Sequence, residues 1–90
     1  MNLDTKITFP SYVMFQEFDD EAVLLDIRSQ EHFGLDPIGS LFVKELHTGI
    51  SIQEASLSIL DIYDVTREQL QVDLSALLDS LLKHELIQIA

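Results

Sequence analysis

The chain has 90 residues, 47% of them hydrophobic, and this length and composition predict one globular domain over residues 1–90. The 16 acidic and 5 basic residues give a net charge of -11 with no basic patch, which disfavours nucleic acid and anionic membranes as partners. Cysteine is absent, so disulfides and thiolate metal sites are excluded. Without a signal-peptide pattern or an apolar run of membrane-spanning length, the sequence indicates a cytoplasmic protein.

Three short strands are predicted in the first third of the chain. Segments 11–18 and 22–27 are rich in apolar residues, and segment 32–35 contains a glycine. Polar turns at 19–21 and 28–30 join the three segments. Short strands with tight turns form an antiparallel meander, so we expect the third strand to lie at an edge of the sheet.

The third strand, with the residues from Glu31 to Pro37 around it, is the most informative stretch of the sequence. An edge strand exposes unpaired backbone groups, which proteins normally protect with lysine, proline or charge. The segment from His32 to Leu35 has none of these protections, and Gly34 would permit close approach of another backbone. We interpret the edge as a dock for an extended peptide, and so as a binding site rather than an active site.

Three helices are predicted after the strands. Asp36 and Pro37 form an N-cap and first helical residue, and capping boxes start at Ser51 and Thr66. The third helix is the longest, and its apolar face is expected to consist of Leu70, Leu74, Leu77, Leu78 and Leu81. The tail, 86–89, is expected to be extended and to pack back on the core.

A three-stranded antiparallel sheet followed by three helices is an α+β domain of the winged helix-turn-helix-like type. That architecture raises DNA binding by the third helix as a hypothesis. The helix and its end carry more acidic than basic residues, namely Glu68, Asp73, Asp79 and Glu85 against Arg67 and Lys83. Because phosphate neutralisation supplies most of the affinity for nucleic acid, DNA binding is the less favoured alternative.

A second alternative is an acyl-carrier-like protein. The segment Asp79-Ser80-Leu81 resembles the signature of acyl carrier proteins, in which the serine carries phosphopantetheine. In that family the serine opens a helix near the middle of the chain, whereas Ser80 lies late in a continuous helical pattern. The sequence therefore favours a protein without a cofactor.

Catalytic motifs are weak throughout the sequence. His32, His47 and His84 lie far apart and do not have the spacing of metal ligands. There is no nucleophile elbow and no phosphate-binding glycine loop. We therefore expect neither an enzyme nor a metal site.

The order of several short motifs resembles the PqqD-like family, the peptide-recognition elements of ribosomal peptide natural-product pathways. The resemblance covers about residues 12–89, with matches at 23–26, 33–36, 49–51, 63–65, 73–74, Leu81 and 86–87. Two positions depart from the family pattern. Phe33 stands where tyrosine is frequent, and Glu85 stands where glycine usually precedes the final Leu-Ile.

The resemblance implies that the leader peptide of a precursor adds as a strand to the third strand, in a groove walled by the third helix. Leu77 and Leu81, with Leu74 deeper, would form apolar pockets, and Asp73 could pair with a leader amide or cation. The full set of expected peptide-binding residues is Glu31, His32, Phe33, Gly34, Leu35, Asp73, Leu74, Leu77 and Leu81.

The partner enzyme is a further expectation from the resemblance. The sequence at residues 34–37 and 63–65 is most similar to that of the discrete recognition proteins of lasso-peptide pathways, which deliver the precursor to a leader peptidase. The second interpretation is a PqqD-type protein that presents its peptide to a radical-SAM enzyme. In both cases the chain itself would be a non-catalytic binding module.

Overall fold

A small antiparallel sheet followed by three helices forms the body of the protein in the computed structural model, which describes residues 4–90. The elements are β1 (Ile7–Thr8), β2 (Val13–Phe18), β3 (Glu21–Asp26), β4 (Glu31–Leu35), α1 (Pro37–Leu46), α2 (Ile52–Ile62), α3 (Arg67–Lys83) and β5 (Gln88–Ile89). The predicted α+β class, the three-stranded meander and the three helices are confirmed.

The strands of the main sheet follow chain order, β2-β3-β4. Leu24 is the centre of the register, since it pairs with Phe15 on β2 and with Phe33 on β4. The connecting turns are tight, and Asp19 and Gln30 adopt positive φ angles of 57° and 62° within them. Within residues 4–90, β4 pairs only with β3, so its other edge is open, as the meander predicts.

The two faces of this sheet differ in what covers them. Leu24 and Leu35, 0% and 6% exposed, point inward to the helices, where Phe42 and Ile59 complete the core. On the opposite face lie the apolar side chains of Met14, Phe18, Val23, Leu25 and Ile27, none of which packs against that core. We call this second surface the outer face. The alternation of side chains along a strand separates the two faces.

Local capping bonds start each helix where the sequence indicates. The Gly39 amide donates to Asp36 Oδ1 at 2.7 Å, and Ser51 and Glu54 form a complete capping box. The cap of α3 is simpler than predicted: Thr66 accepts from the Gln69 amide, but the Gln69 side chain donates to Asp73. The capping box expected at Thr66 is therefore only half formed. In the described part of the chain, no helix is long and apolar enough to cross a membrane.

The ends of the described chain meet in a second, two-stranded sheet. Ile7 pairs with Ile89 and Thr8 with Gln88, which makes β1 and β5 partners that the sequence did not predict. The expectation that the tail packs back on the core is confirmed, because Leu86 is 3% exposed.

A left-handed turn at Glu85 ends α3 and starts the tail. The Leu86 amide donates to the Leu81 carbonyl at 2.9 Å and the Glu85 amide to the Leu82 carbonyl at 3.1 Å. These two bonds, with Glu85 at a φ of 59°, form a Schellman motif. A non-glycine residue is strained in this conformation, so the departure from the family pattern leaves the turn intact at an energetic cost.

Candidate functional site

A groove runs between the open edge of β4 and helix α3. Its larger part has a volume of about 290 Å³ and is lined by Phe33, Gly34, Leu35, Asp36, Ile38, Gly39, Asp73, Leu74 and Leu77. A smaller depression of about 90 Å³ continues it toward the start of β4 and is lined by Asp26, Ser29, Glu31, His32, Phe33, His84 and Leu86. Phe33 borders both parts, so we treat them as one β4–α3 groove.

The backbone of β4 directs alternate residues toward the open edge. The Ile27 amide donates to the Tyr12 carbonyl at 2.9 Å, which places the hydrogen-bonding groups of Ile27 and, by alternation, Leu25 on the β2 side of β3. The backbone groups of Leu24 therefore face β4, where Leu24 pairs with Phe33. It follows that Phe33 bonds to β3, while His32 and Gly34 turn their N–H and C=O groups to the open edge.

One face of α3 forms the opposite wall of the groove. Asp73, Leu77, Ser80 and His84 follow each other at spacings of four, three and four, which places them on one side of a helix. Leu77 is half-buried in the middle of this wall, and the His84 ring lies edge-on to Phe33 with ring centroids 5.5 Å apart. The wall is therefore apolar at its centre and polar toward both ends.

Gly39 allows Leu77 to approach helix α1. A Cβ atom at Gly39 would lie 3.4 Å from Leu77 Cδ2 and 3.1 Å from Asp36 Oδ1. A Cβ atom would therefore press on the Asp36 carboxylate of the α1 cap and make an ordinary contact with Leu77. Sequence reasoning missed Gly39, although a glycine in the first turn of a helix is a signal for a packing constraint.

Gly34 has the opposite property. A Cβ atom there would meet nothing within 4 Å, and Gly34 does not adopt a positive φ. The packing and the backbone of the described chain therefore have no need for glycine at this position. Its effect is to leave the outer face bare beside Val23, its partner on β3.

A polar clamp closes the end of the groove near the β3–β4 turn. Arg28 donates to both carboxylate oxygens of Asp26, at 3.2 and 2.9 Å, and its Nη2 lies 3.3 Å from Glu85 Oε2. The guanidinium also lies 3.6 Å from the centre of the Tyr12 ring, while the Tyr12 hydroxyl donates to the Glu85 carbonyl. This Arg28 clamp links the β3–β4 turn to the end of α3, and so connects the two groove walls at this end.

The clamp also changes the acidity of its members. The side-chain hydrogen bonds from Arg28 hold the pKa of Asp26 below its usual value, although desolvation opposes this shift. The same bonds raise the pKa of Arg28. The pair therefore remains ionised at neutral pH.

Negative charge marks the α1 end of the groove. Asp36 and Asp73 both line it, and each uses one oxygen within the protein, accepting from the Gly39 amide and from Gln69 Nε2 respectively. Two carboxylates beside an apolar centre favour a guest with a cationic or amide group next to an apolar side chain.

Most of the predicted site residues line the groove. Phe33, Gly34, Leu35, Asp73, Leu74 and Leu77 meet in its larger part, while Glu31 and His32 lie at the smaller depression. The alternation of β4 places the His32 side chain on the outer face. Residues that sequence reasoning missed are Asp36, Ile38, Gly39 and His84.

Leu81 differs from the expectation. Its side chain is 0% exposed and belongs to the core, so it does not form a pocket of the groove. A helix turns 100° per residue, so Leu81 projects between Leu70, Leu74 and Leu78, whereas Leu77 lies at the border with Asp73. The assignment of Leu81 to the groove is corrected accordingly.

The described residues hold no group of three or more His, Cys, Asp or Glu side chains that could bind a metal ion. Every buried side-chain nitrogen and oxygen there has a hydrogen-bond partner. The unpaired polar groups that the groove offers are therefore the backbone groups at the open edge of β4, and none is a buried side-chain atom of the described residues.

Comparison with known proteins gives two kinds of match. A solved structure described as TbiB1 in complex with the TbiA(beta) leader peptide is 32% identical, with a TM-score of 0.82 over 90% of this chain and 94% of that one. Another, lasso peptide synthetase B1 complexed with the leader peptide, is 26% identical, with a TM-score of 0.81 over 92% and 98% of the two chains. No curated protein sequence gives a significant match. Residues 21–87 match the family model for coenzyme PQQ synthesis protein D, and the chain therefore belongs to the PqqD family.

Proposed function

We propose that this protein binds the leader peptide of a ribosomally synthesised precursor and delivers it to a maturation enzyme without catalysing a reaction itself. The observation that carries the proposal is the open β4 edge, which directs the backbone groups of His32 and Gly34 into a groove walled by α3. Both similar solved structures are complexes with leader peptides, which supports the same assignment.

Addition of the peptide as a further strand explains how the groove would recognise it. An extended peptide would exchange backbone hydrogen bonds with His32 and Gly34, and its residues opposite Phe33 and Leu35 would point inward to Leu77. Burying one apolar side chain there contributes about 2 kcal/mol, or roughly 30-fold in affinity. Backbone pairing thus gives register, and the inward side chains give specificity.

The acidic end of the groove adds a preference for charge. Asp36 and Asp73 would attract a lysine or arginine, or a backbone amide, in the leader segment that lies beside them. Both carboxylates are exposed, so this contribution is modest and weakens as salt is added.

The partner in the proposal is a leader peptidase of a lasso-peptide pathway, supported by the likeness to lasso peptide synthetase B1. The family match favours a second candidate, presentation of the peptide to a radical-SAM enzyme as in the PQQ pathway. Because a ribosomal precursor is made in the cytoplasm, we place the encounter there.

Titration of a fluorescently labelled leader with the full chain tests the proposal. The leader sequence is taken from the precursor gene that neighbours the gene for this protein. Fluorescence polarisation measures the binding of the labelled leader. We expect a Kd in the micromolar range or tighter. No measurable binding at protein concentrations of tens of micromolar would overturn the proposal.

Two substitutions at Gly34 then locate the binding site. Gly34→Pro removes an N–H that faces the open edge and leaves the bonds to β3 in place, so leader binding should fall about 100-fold or more. Gly34→Ala keeps that N–H, and its Cβ meets no atom within 4 Å. The alanine variant should therefore keep most of the affinity. Equal affinities of the two variants would contradict strand addition at β4.

A further inference from the structure

A second recess lies between helices α2 and α3, apart from the β4–α3 groove. It has a volume of about 160 Å³, and we call it the α2–α3 crevice. Its lining runs from Ile52 to Leu60 on α2 and from Arg67 to Leu78 on α3, which is two to three turns of each helix. Leu57 also lines it and is 44% exposed. The crevice is therefore an elongated, partly apolar trough, a shape that suits a stretch of peptide chain.

The charge of the crevice differs from that of the rest of the surface. The chain has 16 acidic residues, yet within residues 4–90 none of them lines the crevice, whereas Arg67 does. Arg67 is exposed and forms no ion pair within the same residues. Gln53 and Gln71 are exposed and add amide groups. The crevice thus complements a segment that carries a carboxylate beside an apolar side chain.

Helix α3 separates the crevice from the groove, and Leu74 borders both. The groove wall ends at Asp73, and the crevice begins at Ser75. Ala76 and Val72, both exposed, lie between these two positions around the helix axis. A helix with its side chains is about 10–12 Å across, so roughly five extended residues would pass over this side of α3. A peptide that leaves the α1 end of the groove can therefore reach the crevice.

We propose that the α2–α3 crevice is a second binding site for the same precursor, and that it takes a segment with an apolar side chain next to an aspartate or glutamate. This inference rests on the proposed function, since the leader in the β4–α3 groove holds the second segment close to the crevice. Two linked contacts bind more tightly than either contact alone, because the second forms within one complex. The acidic residue of the precursor lies beside Arg67, and its cationic or amide group lies beside Asp36 and Asp73.

A double substitution, Leu57→Ser with Arg67→Glu, tests the crevice. Both side chains are exposed, so the core is little affected, and a carboxylate in the first turn of α3 is favourable to the helix. Fluorescence polarisation with the labelled full-length precursor, leader and core together, should show at least about tenfold weaker binding.

The matched control is Ile62→Ser with Lys83→Glu. It makes the same kinds of change on the same two helices and alters the net charge equally. Ile62 and Lys83 are exposed and line neither the crevice nor the groove. The control should therefore bind the precursor as wild type does.

Chemical shifts locate the contact independently. When an isotope-labelled wild-type chain is saturated with the full-length precursor, the amide resonances of Leu57 and Ser75 should shift. Unshifted resonances there would overturn the inference.

The outcomes separate the inference from the proposed function. If the crevice variant binds the precursor as wild type does, or if the control loses as much affinity, the inference is overturned and the proposed function stands. If wild type binds neither leader nor precursor, both fail. Weaker binding by the crevice variant alone supports the second site.

Discussion

The two ends of the β4–α3 groove are built differently. Near the β3–β4 turn, Arg28 holds Asp26, Glu85 and the Tyr12 ring together, so the guanidinium and these two carboxylates have partners inside the protein. Along β4, the backbone groups of His32 and Gly34 face the open edge. The clamp thus links the two walls at one end of the groove, while the edge of the β4 wall stays unpaired. We expect stability to depend mainly on the core, with a smaller contribution from the clamp, and recognition to depend on the edge.

The largest effect is expected from Leu81→Ala. Leu81 is fully buried, so its truncation should cost about 2–5 kcal/mol of unfolding free energy, measured by chemical denaturation. Leader affinity of the folded fraction should change little, because Leu81 does not line the groove. If the variant were stable but no longer bound the leader, Leu81 would be part of the binding site after all.

Leu77→Ala is expected to show the converse pattern. Leu77 is half-buried at the centre of the groove wall, so the substitution should lower leader affinity about tenfold and cost less stability than Leu81→Ala. Calorimetric titration with the leader measures the affinity, and chemical denaturation measures the unfolding free energy. If leader affinity were unchanged, the peptide would not lie against α3 at this point.

The substitution Arg28→Met tests how much the Arg28 clamp contributes to stability. Arg28 lowers the pKa of Asp26, so the unfolded chain binds a proton on Asp26 at a higher pH than the folded chain does. The resulting stabilisation is present above the unfolded pKa of about 3.9 and is lost as the pH falls through the folded value. The variant should unfold at a lower temperature at pH 7, and this difference from wild type should shrink in acid. An equal difference at both pH values would contradict the clamp.

The smallest effect is a gain in stability from Glu85→Gly. Glycine adopts the left-handed conformation at this position without strain, so the unfolding free energy should rise by up to about 1 kcal/mol. The lost contact to Arg28 is exposed and offsets little of this gain. Glu85→Ala is the control, because it removes the same contact and keeps the strain. Equal stabilities of these two variants would show that the turn is not strained.

Local signals made most of the fold predictable from the sequence. The caps at Asp36, Ser51 and Thr66 act over three residues, and β3 is a short apolar run bounded by polar turns. The short strands β1 and β5 escaped prediction because each is two residues long and exists through a partner about eighty residues away. Such pairing leaves no periodic trace in either segment.

The groove could be predicted only in part from the sequence. The free edge followed from strand order, but which leucines of α3 face it depends on how the helix is rotated against the sheet. Leu77 and Leu81 differ by only about 40° in projection, and that difference separates groove from core. Gly39 and His84 reach the groove through tertiary contacts with Leu77 and Phe33, and the only local signal for either is the glycine in the first turn of α1.

Amide hydrogen exchange on β4, with and without leader, tests strand addition most directly. The amides of Phe33 and Leu35 face β3 and should be protected in the free protein, whereas those of His32 and Gly34 should exchange fast. Saturating leader should slow exchange at His32 and Gly34 and leave Phe33 and Leu35 nearly unchanged. Leader binding with unaltered exchange at His32 and Gly34 would contradict the account.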